Sequence, residues 1–463
     1  FYGSLIVNQD GKIEDVGEPE KIKSNPLYQS CNKIDANKCT VIPAFTDCHC
    51  HLSSIVRHKS FIDLSSANSA NEVIETLSNV AKKLQPKSWI FGKNFNETNF
   101  PDRKIPTRFD LDVISNPVII QRVCFHLHII NSAAFEIIGM SKFDGIEGAL
   151  RNENGELNGL LQEAASQLII PFIDSIQLSS TDYQSVFNEF LSYGVAEIHT
   201  VGAPESGLSD SIYAYQKMRK SGELPVKIVV YLTQDIPFGS FFGDDYVMYG
   251  GRKIFMDGSL GANTAALRER YNCCDTIGLL NHTDEEIESI LLKAKQQDLQ
   301  IMAHCIGDRG IEQIVRMIEK VNPSVPVKLT HVQICPKDLC DRIGNLGSDK
   351  VIVDVQMQML ISDSPLLESW IGKDRIQDVF PLRSLIERNV VVTGSSDAPV
   401  ESFNPMTAIC AAVVRTPETG PNECIELSDA LKMYTSNPQI LVQRQNRKGT
   451  VEQGKVADLA IFE

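Results

Sequence analysis

Histidine is scarce in this chain, nine residues in 463, so the places it occupies carry information. His49 and His51 follow the apolar run VIPAFTD at 41–47. Residues two apart on a strand share a face, so Asp47, His49 and His51 are expected on one side and Cys48 and Cys50 on the other. Two neutral imidazoles at that spacing can chelate one cation. The same pair also reads as ordinary core or surface histidines. His304 closes the run QIMAH, His331 closes VKLTH, and Asp397 follows VVVTGSS. Any one of these reads as a hydrogen-bonded strand end. Together they put five polar groups at or beyond the ends of apolar strands, where burial without partners is costly. Convergence on a metal removes that cost and explains the repetition.

Elements must bring these residues together. Apolar strand-like runs at Val41–Phe45, Val118–Val123, Val195–Thr200, Lys227–Leu232, Lys253–Met256, Gln300–Ala303, Val327–Thr330, Val351–Val355 and Val390–Thr393 alternate with helical stretches. The helical stretches include Ala70–Leu84, Asp182–Tyr193, Thr283–Gln297, Gly310–Val321 and Pro381–Arg388. Continuous apolar strands alternating with helices signal a parallel sheet. Eight such units close into an α/β, TIM-type (β/α)8 barrel whose chemistry sits past the strand C-terminal ends. Nine candidates are one too many, so one lies outside the barrel. The barrel is expected over 41–440, with an inserted lobe at about 60–190 over its mouth. Residues 1–40 and 441–463 read as short strands that cannot bury a face alone. Asp10-Gly11 marks a hairpin, and one small β domain built from both termini is the economical reading.

The whole set resembles the amidohydrolase superfamily. RKIFMDGSLGANTAA at 252–266, AHCIGDR at 303–309, THVQ at 330–333 and GSSDAPVESFNP at 394–405 are similar to its YtcJ-like branch, the amidohydrolase 3 family. The likeness extends through 122–132, 189–201 and the terminal β pieces. It implies that His49, His51, His304, His331 and Asp397 are ligands of a divalent metal, zinc first. Lys253 matches a lysine that relatives carbamylate. A free ammonium cannot ligate a metal, whereas a carbamate can bridge two, so the site holds one ion or two. A salt-bridged Lys253 is the alternative. Asp397 is implied as general base and acid in the hydrolysis of a non-peptide C–N bond by a metal-activated water. His126, Glu163, Asp257 and Arg309 are implied to contact the small-molecule substrate, with a bridging role for Glu163 and a structural Asp308-Arg309 ion pair left open. Lactone or ester hydrolysis and heterocycle deamination suit the same centre. A catalytically dead scaffold conflicts with filled ligand positions. The sequence departs from many relatives at Cys124-Phe125, where they carry Asp-Gly, and at Cys48 and Cys50.

The net charge of −15 argues against nucleic acid or an anionic membrane as partner. The 12 cysteines include no C-x-x-C pair, and with no leader in view they read as reduced cytoplasmic thiols. A homodimer is left open. The run Gly449-x4-Gly454-Lys455 imitates a phosphate loop, but Val456 replaces the required hydroxyl residue.

Overall fold

A computed structural model describes every residue except 1, 2, 123–126, 163, 164, 167, 175, 177, 203–206 and 235. The chain forms two compact units, one from residues 1–52 and 183–463 and one from 53–182.

The first unit is built on eight parallel strands: β1 (Phe45–Cys50), β2 (Val195–Val201), β3 (Lys227–Leu232), β4 (Val247–Phe255), β5 (Ile301–Cys305), β6 (Val327–His331), β7 (Val351–Val355) and β8 (Val392–Gly394). They pair in chain order, β1 with β2 through to β7 with β8. Beyond β8, Asp397 N donates to His49 O at 2.7 Å and His51 N to Ala398 O at 2.8 Å, which brings the ring nearly to closure. Every residue of β6 and β7 is buried, as expected of parallel strands covered on both faces. The helices follow local rules. Asp284–Gln296 starts at a Thr283/Glu286 capping box. Asp308–Val321 buries Ile311, Ile314, Val315 and Ile318 on one stripe and stops at Asn322 in the left-handed conformation.

The barrel interior is layered. Cys48, Val201, Val229, Tyr231, Met248, Met302 and Ile352, drawn from six strands, pack with Leu441 and Val442. Charged groups also lie within. Lys328 and Asp354 pair at 3.5 Å with neither side chain exposed. Lys328 also donates to Cys48 O. Glu197 accepts from Lys448 and lies 3.3 Å from His199. Breaking one partner of such a buried pair typically costs about 3–5 kcal/mol.

The terminal pieces pair as their apolar faces require. Ser4–Val7 runs antiparallel to Ile13–Gly17 across a turn with Gly11 at φ 72°. Leu459–Phe462 pairs with Thr40–Pro43, and Lys12 bridges Val456. The second unit holds a six-stranded mixed sheet in the order Ile62–Asp63, Ile90–Phe95, Val118–Arg122, Leu127–Ile130, Leu157–Gln162, Ala149–Arg151. Of the nine strand candidates, Val118–Val123 falls in this second sheet, and Val41–Phe45 falls mostly in Thr40–Pro43 of the terminal sheet, with only Phe45 opening β1. No helix among the described residues is long and apolar enough to cross a membrane.

Candidate metal centre

One position past the last residue of β1, His51 is still about one-third exposed in its side chain, while His49 is buried. Both rings turn to the same carboxylate oxygen. Asp397 Oδ1 lies 3.1 Å from His49 Nε2 and 3.2 Å from His51 Nε2. These three residues bring one ligand atom each within 4.8 Å of the others. Their frame is Asp47. Its carboxylate accepts from Ser396 Oγ at 2.6 Å, Ser396 N at 3.1 Å and His49 N at 3.2 Å, tying the end of β1 to the segment after β8.

Simple alternation does not build this end of β1. Its register against β2 slips between Asp47 and Cys50, where Cys48 and His49 oppose His199 alone. Such a bulge re-aims side chains. Cys48 consequently packs in the barrel interior with Tyr231 and Met302, although the sequence pattern expects it to face away from the histidines. The candidate ligand face is intact because the bulge leaves both imidazoles directed at Asp397.

His331 departs from alternation too. Lys328, three residues earlier on β6, points inward, so a regular strand would turn His331 outward. Instead His331 has φ 80° and Val332 φ 48°. The His331 ring lies 4.4 Å from that of His304 and 5.7 Å from that of His49, centroid to centroid. Asp397 is also left-handed, at φ 57°. Non-glycine residues held there carry strain of order 1–3 kcal/mol, which the surroundings must support. His304, at the inward-facing end of β5, sits with Nε2 3.1 Å from Gly258 O.

Lys253 lies on β4 with its amine buried and without a hydrogen-bond partner among the described residues, 5.2 Å from the Phe255 ring centroid. Burial lowers its pKa to about 8, with nearby Lys328 adding to the effect against Asp397. Burial likewise depresses the imidazoles, His304 to about 4 and His49 and His331 well below the ordinary histidine value; Lys253 pushes all three down further. Neutral imidazole is the form that ligates a metal. For Asp397 burial acts upward, but His49 first, then His51 and His331, outweigh it and hold the carboxyl well below the usual range.

Asp257 and Arg309 lie near this cluster in different settings. Asp257 accepts from the backbone N–H groups of Ile306, Gly307 and Ala266 at 2.8–3.0 Å, with Oδ1 3.7 Å from His304 Nε2. Burial raises it to about 7 despite those bonds. Its visible work is to lock the loops after β4 and β5. Arg309 donates through Nη2 to Gly278 O. Asp308 accepts instead from the backbone N–H groups of Arg268 and Arg309, so the described contacts of this carboxylate are to main chain. His126 and Glu163 lie outside the described residues. His128 is held in the second unit by Ser166 and Gln121.

Sequence reasoning did not single out Ser396, Gly258 or the Lys328–Asp354 pair. Ser396 adjoins Asp397 in the GSSDAP motif, which is the one signal that pointed near it. The others act through cross-strand contacts that no short spacing encodes.

Comparison with known proteins bears on the same residues. The sequence profile described as Amidohydrolase family matches residues 33–463. The putative amidohydrolase YtcJ of Bacillus subtilis (strain 168) is 27% identical, over 98% of this chain and 89% of its own length. An N-substituted formamide deformylase of Arthrobacter pascens is 24% identical, over 99% of this chain and 89% of its own length. The crystal structure of an uncharacterized metal-dependent hydrolase from Pyrococcus furiosus is similar at TM-score 0.83 and 26% identity, covering 99% of this chain and 94% of that one.

Proposed function

The chain belongs to the amidohydrolase family, and from that premise we propose that it is a metal-dependent hydrolase cleaving a non-peptide, amide-type C–N bond in a small molecule. The observation that carries this reading is the meeting of His49, His51 and Asp397 within 4.8 Å, with the rings of His331 and His304 alongside.

The residues fit a divalent cation. Nδ1 of His49 and of His331 and the Lys253 amine are buried polar atoms without hydrogen-bond partners among the described residues, which a closed, purely structural network would leave costly. Four imidazoles and one carboxylate, with burial holding His49, His304 and His331 neutral and the acid ionised, form a donor set that suits zinc first. His49, His51, His304, His331 and Asp397 would hold the ion, with Lys253 a further donor once carbamylated. When bound, such a cation acidifies water from about 15.7 towards about 7 and polarises a carbonyl group.

The chain's own part is proton handling. Asp397, ionised at neutral pH, takes a proton from the attacking water on a carboxylate oxygen and returns it to the departing nitrogen. An amide nitrogen leaves poorly without that return. His49 and His51, both within 3.2 Å of Asp397 Oδ1, fix the carboxylate for both transfers. With a pKa near 8, a share of Lys253 is neutral at physiological pH, the form that can add carbon dioxide. Asp257, Arg309, His126 and Glu163 are the proposed substrate-side residues.

The relative that names a substrate class, an N-substituted formamide deformylase, supports a C–N bond over a C–O bond. The test is product analysis on protein purified without chelator, offered N-formyl and N-acyl amines beside lactones. Amine release with stoichiometric metal is expected. Turnover of lactones alone, or metal-free protein with full activity, would overturn the proposal.

A further inference from the structure

Two pairs of cysteines among the described residues bring their sulfurs to 3.6 Å, and they differ in access. Cys335 and Cys340 are buried, whereas Cys273 and Cys274 are both exposed. The exposed pair sits in the segment between β4 and the helix Asp284–Gln296. That segment is pinned on each side. Asn272 N donates to Trp370 O at 2.7 Å, Tyr271 N to Thr276 O at 2.9 Å, and the Tyr271 hydroxyl to Ala265 O at 3.1 Å. Cys273 Sγ in turn donates to Asn263 Oδ1 at 3.3 Å.

A disulfide is not the natural product of this geometry. Adjacent residues joined by a trans peptide hold their Cα atoms about 3.8 Å apart, below the usual disulfide window of about 4.4–6.8 Å. The sulfurs would also have to close to about 2.05 Å. A chelate asks for less. Two metal–sulfur bonds of about 2.3 Å at a near-tetrahedral angle separate the sulfurs by about 3.7 Å, close to what is already in place. Two sulfurs alone fill half of a four-coordinate cation's shell, and neighbouring Asp275 is engaged by Arg270. A centre with two open positions fits better than one with four.

We propose that Cys273 and Cys274 form a preorganised dithiol site for thiophilic centres with two open positions, the chemical class of monosubstituted trivalent arsenicals. With phenylarsine oxide the step balances without an oxidant. The As=O oxygen leaves as water with both thiol protons, two As–S bonds form, and arsenic remains trivalent. The pinned turn limits the ordering that binding requires, which favours affinity.

The test is titration of the intact protein with phenylarsine oxide, followed by intact-protein mass spectrometry and maleimide counting. One adduct per chain is expected, shielding two thiols, reversed by 2,3-dimercaptopropanol and not by a monothiol. Cys273→Ser and Cys274→Ser should each weaken binding about 100-fold or more, because the second bond is intramolecular. Cys335→Ser should bind as the parent does. An adduct that persists in a folded Cys273→Ser variant, or its absence from the folded parent, would refute the site.

Discussion

In the proposed mechanism Asp397 serves two purposes that a single substitution can separate: one oxygen faces two imidazoles, and the carboxylate charge would accept the proton. Asp397→Asn keeps the shape and an oxygen but removes the base. Turnover should fall by about 10²–10⁴-fold, the usual contribution of a positioned acid–base group, with metal content preserved. Undiminished turnover in a variant of verified sequence would remove Asp397 from the mechanism. Lys253 allows a test that needs no substrate. Protein equilibrated with 13C-bicarbonate and metal should show a carbamate carbon signal that Lys253→Met lacks and that carbon-dioxide-free buffer abolishes; an identical signal in the variant would assign it elsewhere. At this scale the sequence was informative where a residue's neighbours are local. His304 is legible because β5 is a regular strand and its last inward position is polar. His331 is legible as a strand-end histidine but not as an inward one, since its direction depends on a positive φ that the run VKLTH does not reveal.

Strands position the site, and they also carry charges the hydrophobic pattern does not announce. On β2, Glu197 and His199 lie two residues apart, buried, beside Lys448 from the far end of the chain. Burial lowers His199 to about 4, the nearby Lys328 and Lys448 charges acting the same way and Glu197 against them. Its folded pKa is thus below its unfolded value near 6.5. Between pH 6.5 and 4 the unfolded chain binds a proton there that the native state refuses, so stability falls as pH drops through that window. At about 1.4 kcal/mol per unit, the full effect is up to about 3 kcal/mol. His199→Gln should flatten the decline of melting temperature from pH 7 to 4 relative to the parent, in metal-free protein. Parallel pH profiles would show that His199 does not drive it. Most barrel strands are readable as apolar runs; β1 is not, since the run Val41–Phe45 shares only Phe45 with it, and two further differences are instructive. Only the end of β4 shows in sequence, since Val247–Phe255 carries Tyr249-Gly250-Gly251 in its middle, and glycines weaken a strand pattern. The slip in β1 is invisible because alternation is the very rule it breaks. Pairings such as Lys328 with Asp354 join neighbouring strands through contacts that a period of two cannot specify.

The barrel as a whole has one seam. β1 to β8 are joined in turn by strand ladders, but β8 meets β1 through Asp397 N to His49 O, His51 N to Ala398 O, and the Ser396–Asp47 contacts. His49, His51 and Asp397 stand on the two sides of that seam. A cation bound by these three therefore acts as a staple where the ring is least continuous, and binding and folding are coupled. Ligand present at about 1,000 times its dissociation constant adds about 4 kcal/mol to the native state. With an unfolding entropy of about 2.1 cal/mol/K per residue, that corresponds to ~4 °C in melting temperature for a cooperative chain of this length. Chelation should produce a loss of that order, restored by zinc. The location of the loss is the sharper measurement. Amide hydrogen exchange should quicken at His51 and Asp397, while the sheet containing Val118–Arg122, whose described residues include none of the proposed ligands, should keep its protection. Equal loosening of both units, or none at the seam, would mean that the ion does not bridge β1 to the segment after β8, and the proposed ligand set would have to be redrawn.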